Sequence, residues 1–215
     1  MLSVLPTGRI IVDGDTTGIL EGDSQEYEIL ENAAREAAPI KGPSIEFGVR
    51  LGAGSVLIMN QNPPDKMHIA VDPYGCIEYA DDVHGTFDTD YSNNLRNACQ
   101  YALQKWAYDN NKNLSFLIME DTEFFKRFAD GYPTYDKSKT LHPTYSFVHF
   151  DGPHTTEAVK EEMEFFINRI TPGGMLVFDD INLYRHQEVE DWFMSQGRFV
   201  PFQKGIRKAS YRKLP

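Results

Sequence analysis

Between Tyr145 and Ile181 the chain reads YSFVHFDGPHTTEAVKEEMEFFINRITPGGMLVFDDI. An apolar strand, a short loop, a helix, a Pro-Gly-Gly turn and a second apolar strand follow in order. Few folds admit that order: a strand–helix–strand unit lays its strands parallel and joins them by a right-handed crossover. Each strand here ends in acid, Asp151 after the first and Asp179 with Asp180 after the second. In an open parallel sheet such strand ends line one crevice, and ligands bind there. Three carboxylates converging on it repel one another unless something positive sits among them. A hard divalent cation is the natural partner, which makes Asp151, Asp179 and Asp180 candidate metal ligands. The competing reading of Asp179-Asp180 is a solvated loop with one aspartate capping. His154 falls at the rim of the same site as a candidate base, against a reading in which it only begins the next helix.

The rest of the chain repeats the alternation. A helix is expected over Ser24–Ala38, capped by Ser24 and ended by Pro39. Strands follow at Ser44–Val49, Met67–Asp72 and Leu114–Met119, with helices from Ser55, over Asn93–Asp109 and over Thr122–Ala129. The helix Thr155–Ile170 precedes the strand MLVFD, and a helix His186–Ser195 leads to two closing strands, Phe199–Gln203 and Arg207–Lys213. Residues 1–23 carry one possible strand, Arg9–Val12. The expected fold is α/β: a single Rossmann-like, doubly wound sheet, mostly parallel, with a C-terminal antiparallel hairpin. One domain spans 1–215, with an N-terminal extension and helix in 1–43 and the α/β core in 44–215. Pro73–Ser92 and Asp130–Thr144 read as long irregular loops, and loops of that length are usually functional or mobile.

The first strand runs into EFGVRLGAGS, Glu46 to Ser55. A dinucleotide fingerprint would be Gly-x-Gly-x-x-Gly, but Arg50 stands at the second glycine position and would obstruct a pyrophosphate. The wider spacing of Gly48 and Gly52 suits a turn that closes over a small zwitterion and offers it backbone N–H groups. Glu46 is placed to face a ligand ammonium, directly or through water. The bland alternative is tight strand-to-helix packing. Asp72 after the second strand suits ribose hydroxyls, or else caps a turn. Asp121 after the third suits an adenine amino group, or else caps the Thr122 helix. His68, His84, His142, His149 and His186 carry no assigned role, and His149 is expected to point into the core or the sheet face.

EFGVRLGAGS, AVDPYG, IMEDT, FDGPHTTEAV and TPGGMLVFDD occur in the order found in class I S-adenosylmethionine-dependent methyltransferases. The chain resembles that group from about Ser24 onward, most closely the macrocin and mycinamicin sugar O-methyltransferases, with catechol O-methyltransferase further off. The resemblance implies a cofactor, S-adenosylmethionine. Glu46, Gly48, Gly52 and Ser55 would shape its methionine pocket, Asp72 would bind ribose, and Asp121 with Thr122 would meet the adenine. It also implies Mg2+ on Asp151, Asp179 and Asp180, with His154 deprotonating a hydroxyl acceptor. Two departures stand out. Ala53-Gly54-Ser55 is one residue longer than the usual step, which leaves the part of Ser55 open. The two long loops match no family pattern, so the acceptor is not inherited.

Those loops carry Tyr74, Tyr79, Phe87, Tyr91, Tyr132 and Tyr135 among acids and amides. Such a surface suits a sugar or other polyhydroxylated small molecule, and equally a protein interface. The rival functional readings are a catalytically silent binding or assembly module and a nicotinamide-dependent sugar oxidoreductase. Arg50 and the lack of a Tyr-x-x-x-Lys pair oppose the second. The net charge is −11, from 32 acids against 21 bases, which argues against nucleic acid and anionic membrane partners. Five bases near the C-terminus, Lys204, Arg207, Lys208, Arg212 and Lys213, read as a solvated edge strand guarded by charge. Cys76 and Cys99 read as reduced thiols. With no signal-like N-terminus and no apolar run of about 20 residues, a cytoplasmic protein is expected, and a homo-oligomer is possible.

Overall fold

The computed structural model describes residues 24–89 and 91–215, and the backbone of three short strands before them. These are β1 (Leu2–Val4), β2 (Arg9–Val12) and β3 (Leu20–Glu21), paired antiparallel in that order. The other expectations for residues 1–23 lie outside the described residues. Along the remaining chain run α1 (Tyr27–Ala37), β4 (Ser44–Phe47), α2 (Ala53–Gln61), β5 (Met67–Val71), β6 (Glu78–Asp81), β7 (Gly85–Asp88) and α3 (Asn93–Asp109). Then come β8 (Asn113–Leu117), α4 (Asp121–Arg127), β9 (Tyr132–Tyr135), β10 (Lys139–His142), β11 (Tyr145–Phe150) and α5 (Thr156–Phe166). The chain closes with β12 (Ile170–Phe178), α6 (His186–Met194), β13 (Phe199–Lys204) and β14 (Ala209–Lys213).

Seven strands form the main sheet in the order β13-β14-β12-β11-β4-β5-β8. Strands β12, β11, β4, β5 and β8 pair parallel, while β14 runs antiparallel to both of its neighbours. The expected closing hairpin is present, with its second strand inserted between β12 and β13. The sheet is covered on both faces, so its central strands are buried on both sides and read as continuous apolar runs. One face carries Phe47, Val71, Phe150 and Phe178, packed against Phe124 of α4, Met163 and Phe166 of α5 and Phe193 of α6. The other carries Ala70, Phe147, Met175 and Val177, packed against Leu30 and Ala33 of α1, Val56 of α2 and Leu103 and Trp106 of α3. Each fully buried large apolar side chain contributes roughly 1.5–3 kcal/mol.

Local chemistry sets the element ends. Ser92 caps α3 by accepting from Leu95 N–H at 3.3 Å, and Thr155 caps α5 by accepting from Ala158 N–H at 3.3 Å. Glu120 and Glu123 form a capping box at α4, which satisfies otherwise orphaned N–H groups. Ser24 does not cap α1. Glu26 occupies that position with φ 58° and no side-chain cap, and its carboxylate instead accepts from the N–H groups of Ile206, Arg207 and Lys208 at 2.8–3.0 Å. Helix α5 stops at Phe166, earlier than periodicity predicts. Pro172-Gly173-Gly174 lies within β12 as an irregularity: Tyr145 pairs Ile170, and Phe147 pairs Met175. Both long loops contain hairpins, β6–β7 and β9–β10, whose short polar strands lack a clear alternation. Cys76 and Cys99 are free. Among the described residues no helix is long and apolar enough to cross a membrane.

His186 is buried between two phenols, its Nδ1 3.0 Å from Tyr184 Oη and its Nε2 2.9 Å from Tyr211 Oη. Burial pushes its pKa from 6.5 down to about 4. The unfolded chain therefore binds this proton between pH 6.5 and 4 and the folded chain does not. The stability it contributes is complete above pH 6.5 and is lost as pH falls toward 4. Urea unfolding across pH should show His186→Gln losing roughly 2–3 kcal/mol less than the parent between pH 7 and 4.5.

Candidate functional site

The parallel strands end side by side, and the turns leaving them enclose a cavity of about 480 Å3. Its floor comes from Gly48 and Arg50 after β4, Asp72 to Tyr74 after β5, Met119 to Asp121 after β8, and Asp151 to Thr155 after β11. Asp180 after β12 completes it. The β6–β7 hairpin forms a side wall with Tyr79, Asp81 and Phe87. The volume lies within the range of small-molecule sites. Of the residues singled out from sequence, Gly48, Asp72, Asp121, Asp151, His154 and Asp180 line this cavity. Glu46, Gly52, Ser55, Thr122 and Asp179 are not in its lining.

Gly48 has φ +82°, and a Cβ placed on it would sit 1.8 Å from the carbonyl oxygen of Asp151. The absence of a side chain lets the ends of β4 and β11 meet. Asp72 accepts at Oδ2 from the N–H groups of Val49 (2.8 Å) and Arg50 (2.9 Å), and at Oδ1 from Tyr74 N–H (2.9 Å). This carboxylate thus shapes the glycine turn as well as lining the cavity. A carboxylate offers roughly four acceptor sites, so capacity remains for a ligand hydroxyl. Burial raises its pKa despite the three backbone bonds. Asp121 accepts from Thr122 N–H at 2.7 Å; Glu120, one residue earlier, takes the capping role. Burial raises the Asp121 pKa.

Gly52 caps α2 with φ +82°, and a Cβ there would press on Leu103 of α3 at 2.8–2.9 Å. Its duty is helix packing. Glu46 and Ser55 belong to a buried polar chain beneath the cavity. Ser55 donates to Glu46 Oε2, and Glu46 Oε1 lies 2.9 Å from His149 Nδ1. His68 bridges Ser55 (3.1 Å) and Ser44 (2.9 Å). Burial holds the His68 pKa near 4, so it is neutral. His149 does face the sheet surface, and its Nε2 has no hydrogen-bond partner, 3.8 Å from Asp179 Oδ2.

The acids after β11 and β12 divide into two settings. Asp151, His154 and Asp180 bring one ligating atom each within 4.8 Å of one another. His154 Nε2 is 3.4 Å from Asp180 Oδ2, and its ring stands edge-on to Tyr79 at 5.7 Å. Asp179 turns away from this group. It is 1% exposed, its Oδ2 pairs with the ammonium of Lys208, and its Oδ1 accepts from Ser24 Oγ (2.8 Å) and Asp180 N–H (2.7 Å). Burial alone would raise the Asp179 pKa, but the Lys208 ammonium holds it below the usual carboxylate range. Asp151 goes the other way: burial and the neighbouring Asp179 push it well up, against a pull from Lys208. Asp180 is raised by burial and Asp179, and moderated by His154 and by Arg207, whose Nε donates to its Oδ1 at 2.8 Å.

Lys208 is a correction to the charged-edge reading, since it is 0% exposed. Composition suggested solvent; the tertiary fold supplies a buried acid. The hairpin wall was missed as structure, although its aromatics were singled out. Glu162 was missed altogether. It sits on α5, buried, with neither carboxyl oxygen bonded, and burial lifts its pKa well up. The signal that marks it is helical spacing: Val159, Glu162, Met163 and Phe166 stand at i, i+3, i+4 and i+7, on the buried face of α5.

Residues 45–181 match the methyltransferase-domain family, and the chain belongs to it. Among solved structures, the chain is similar to CalS11, a calicheamicin methyltransferase, at 15% identity and TM-score 0.57, over 87% of this chain and 78% of that one. It is similar to the O-methyltransferase TomG of Streptomyces achromogenes, solved with S-adenosylmethionine, at 12% identity and TM-score 0.56, over 88% and 79%. It is also similar to an rRNA methylase of Streptococcus thermophilus at 10% identity and TM-score 0.56, over 89% and 98%. Likenesses at these identities are of fold: the sheet and its flanking helices are those of class I methyltransferases. A comparison with curated proteins finds no match.

Gly48→Ala tests the close approach at the cavity floor. The added Cβ must part β4 from β11 and sit at positive φ, which should cost roughly 2–4 kcal/mol. Thermal unfolding by circular dichroism should show a Tm lower by about 4–16 °C.

Proposed function

We propose that this member of the methyltransferase-domain family transfers a methyl group from S-adenosylmethionine to a hydroxyl of a small polyhydroxylated acceptor, such as a sugar or glycoside. The observation that carries the reading is the single cavity in which Gly48, Asp72 and Asp121 occupy one part and Asp151, His154 and Asp180 another. The first group fits the cofactor, since two carboxylates at successive strand ends can accept from its ribose hydroxyls and adenine amino group. Bound S-adenosylmethionine supplies an electrophilic methyl. The chain has to position a hydroxyl against it, exclude water and take up a proton. Positioning alone supplies roughly 7–11 kcal/mol in well-oriented systems. His154 takes the proton, and Asp180, 3.4 Å from its Nε2, stabilises the imidazolium that forms. Arg207 in turn fixes Asp180.

The acceptor side supports a hydroxylated ligand. Tyr79, Phe87 and Tyr91 line the wall, and aromatic faces pack on sugar C–H groups while acids and amides bind hydroxyls. CalS11 is described as a TDP-rhamnose 3'-O-methyltransferase, which agrees with a sugar hydroxyl. A net charge of −11 disfavours a nucleic-acid acceptor.

The Mg2+ implied by the sequence resemblance fits these residues poorly. It calls for oxygen ligands in near-octahedral order. Asp179 is outside the cavity lining and 1% exposed, its Oδ2 meets the Lys208 ammonium and its Oδ1 accepts from Ser24 Oγ and Asp180 N–H, and Asp180 Oδ1 is engaged by Arg207. Two groups of side chains could still hold an ion, Asp151 with His154 and Asp180 and, beneath the cavity, Asp151 with Glu46 and His149, and each puts a histidine nitrogen among its donors.

Calorimetric titration of S-adenosylmethionine, followed by a screen of sugar and catechol acceptors for S-adenosylhomocysteine release, tests the reading. Saturable binding and turnover with a hydroxylated acceptor are expected; absence of cofactor binding would overturn it. His154→Gln should lower kcat by about 10²–10⁴-fold with cofactor affinity unchanged.

A further inference from the structure

We propose that Lys208 is the resident counter-ion of the strand-end carboxylates, so that this chain binds its cofactor and transfers the methyl group without a divalent metal. The proposal rests on the methyltransferase reading above and assigns the charge balance of that same site.

Lys208 is a buried ammonium with named partners. Its Nζ donates to Asp179 Oδ2 and to Ser24 Oγ. It lies 5.2 Å from the centroid of the Tyr27 ring, within reach of a cation–π contact. The residue is 0% exposed and Asp179 1%. A metal ligated at Asp179 Oδ2 would have to displace an ammonium that is itself buried. The backbone around it is held as well. The Glu26 carboxylate accepts from the N–H groups of Ile206, Arg207 and Lys208. Beyond Lys208, β14 is locked between β12 and β13.

The next residue along supplies a second cation. Arg207 donates from Nε and Nη2 to Asp180 Oδ1, a geometry suited to the planar guanidinium. Three carboxylates, Asp151, Asp179 and Asp180, therefore meet two fixed cations. Asp179 and Asp180 are thereby each bonded to a cation, Lys208 and Arg207 respectively. A divalent ion bound among them would leave the set net positive beside the cofactor's sulfonium. Like charges in a low-dielectric cleft are costly, so the arrangement with Lys208 and Arg207 in place favours a monovalent guest.

The test uses the full chain, stripped with a chelator. Mn2+ is titrated and its free concentration read by electron paramagnetic resonance, with and without S-adenosylhomocysteine. In parallel, S-adenosylmethionine is titrated calorimetrically in chelator and in Mg2+. The expected result is no saturable Mn2+ binding below about 1 mM, and a cofactor Kd that agrees within about twofold between the two conditions. Saturable micromolar Mn2+ binding, or a cofactor Kd tightened about tenfold by Mg2+, would overturn the proposal. Lys208→Gln sharpens it. Removing the ammonium should free Asp179 for a metal, so thermal unfolding of the variant should shift upward with Mn2+ while that of the parent does not. A variant that gains no Mn2+ response argues against Lys208 as the occupant. Should Lys208→Gln fail to fold, the parent's two titrations still decide. Failure to bind S-adenosylmethionine in either condition would fell the methyltransferase reading instead, and the Mn2+ titration would still judge the counter-ion.

Discussion

Asp179 and Lys208 face one another inside the protein, both almost wholly removed from water. An ionised carboxylate in such a place is tolerated only with a bonded partner of opposite charge. Much of the architecture serves that pairing. Ser24, just before α1, bonds to both members. Glu26 grips the backbone that carries the lysine. Strand β14 enters the sheet beside β12, which ends at the aspartate. Elements from both ends of the described chain thus converge on one ion pair, and the strand-end acids beside the cavity inherit its electrostatics. Asp151 is pushed toward its neutral form while Asp179 is held ionised, although both sit at the ends of adjacent strands.

The cavity joins two kinds of construction. Its floor is made of turns leaving β4, β5, β8 and β11, fixed by the sheet and by backbone bonds such as those Asp72 receives. Its wall is the β6–β7 hairpin, an antiparallel pair of short strands whose β7 residues are exposed. Among the described residues that hairpin is tied to the body through Tyr79, whose ring meets His154, and through Asp81 and Asp82. Asp82 accepts from Thr156 at the start of α5 and donates its N–H to Leu183 O, and Asp81 pairs with His154. A floor built from the sheet suits a common cofactor, and a wall that is a separate two-stranded sheet can differ between relatives without disturbing the main sheet. That division explains why the fold was recognisable while the acceptor was not.

The sheet was legible because its strands are buried on both faces and its helices are amphipathic, so periodicity marks each one. The cavity acids were legible because they follow strands directly. Three things were not. Hairpins within Pro73–Ser92 and Asp130–Thr144 carry polar, half-exposed strands without alternation. The bonds that Glu46 and Ser55 make within the fold are a second: Glu46 meets Ser55 and the buried His149, and Ser55 meets the buried His68, histidines that come from other strands. Lys208 stands among four other bases in a short segment, and nothing local distinguishes the buried one. Its identity depends on β14 inserting beside β12, a long-range pairing that no window of sequence contains.

The insertion of β14 between β12 and β13 has a consequence for how the protein is made. A chain synthesised from its N-terminus presents β4, β11 and β12, with Asp151, Asp179 and Asp180, before residue 208 exists. Until then the acids have no ammonium beside them, and the edge of β12 is open where β14 will pair. Completion of the sheet and neutralisation of its acids are therefore the same late event. A nascent chain halted short of it would hold a formed apolar core beside an unbalanced cluster of carboxylates and an unpaired strand edge, a state prone to aggregation.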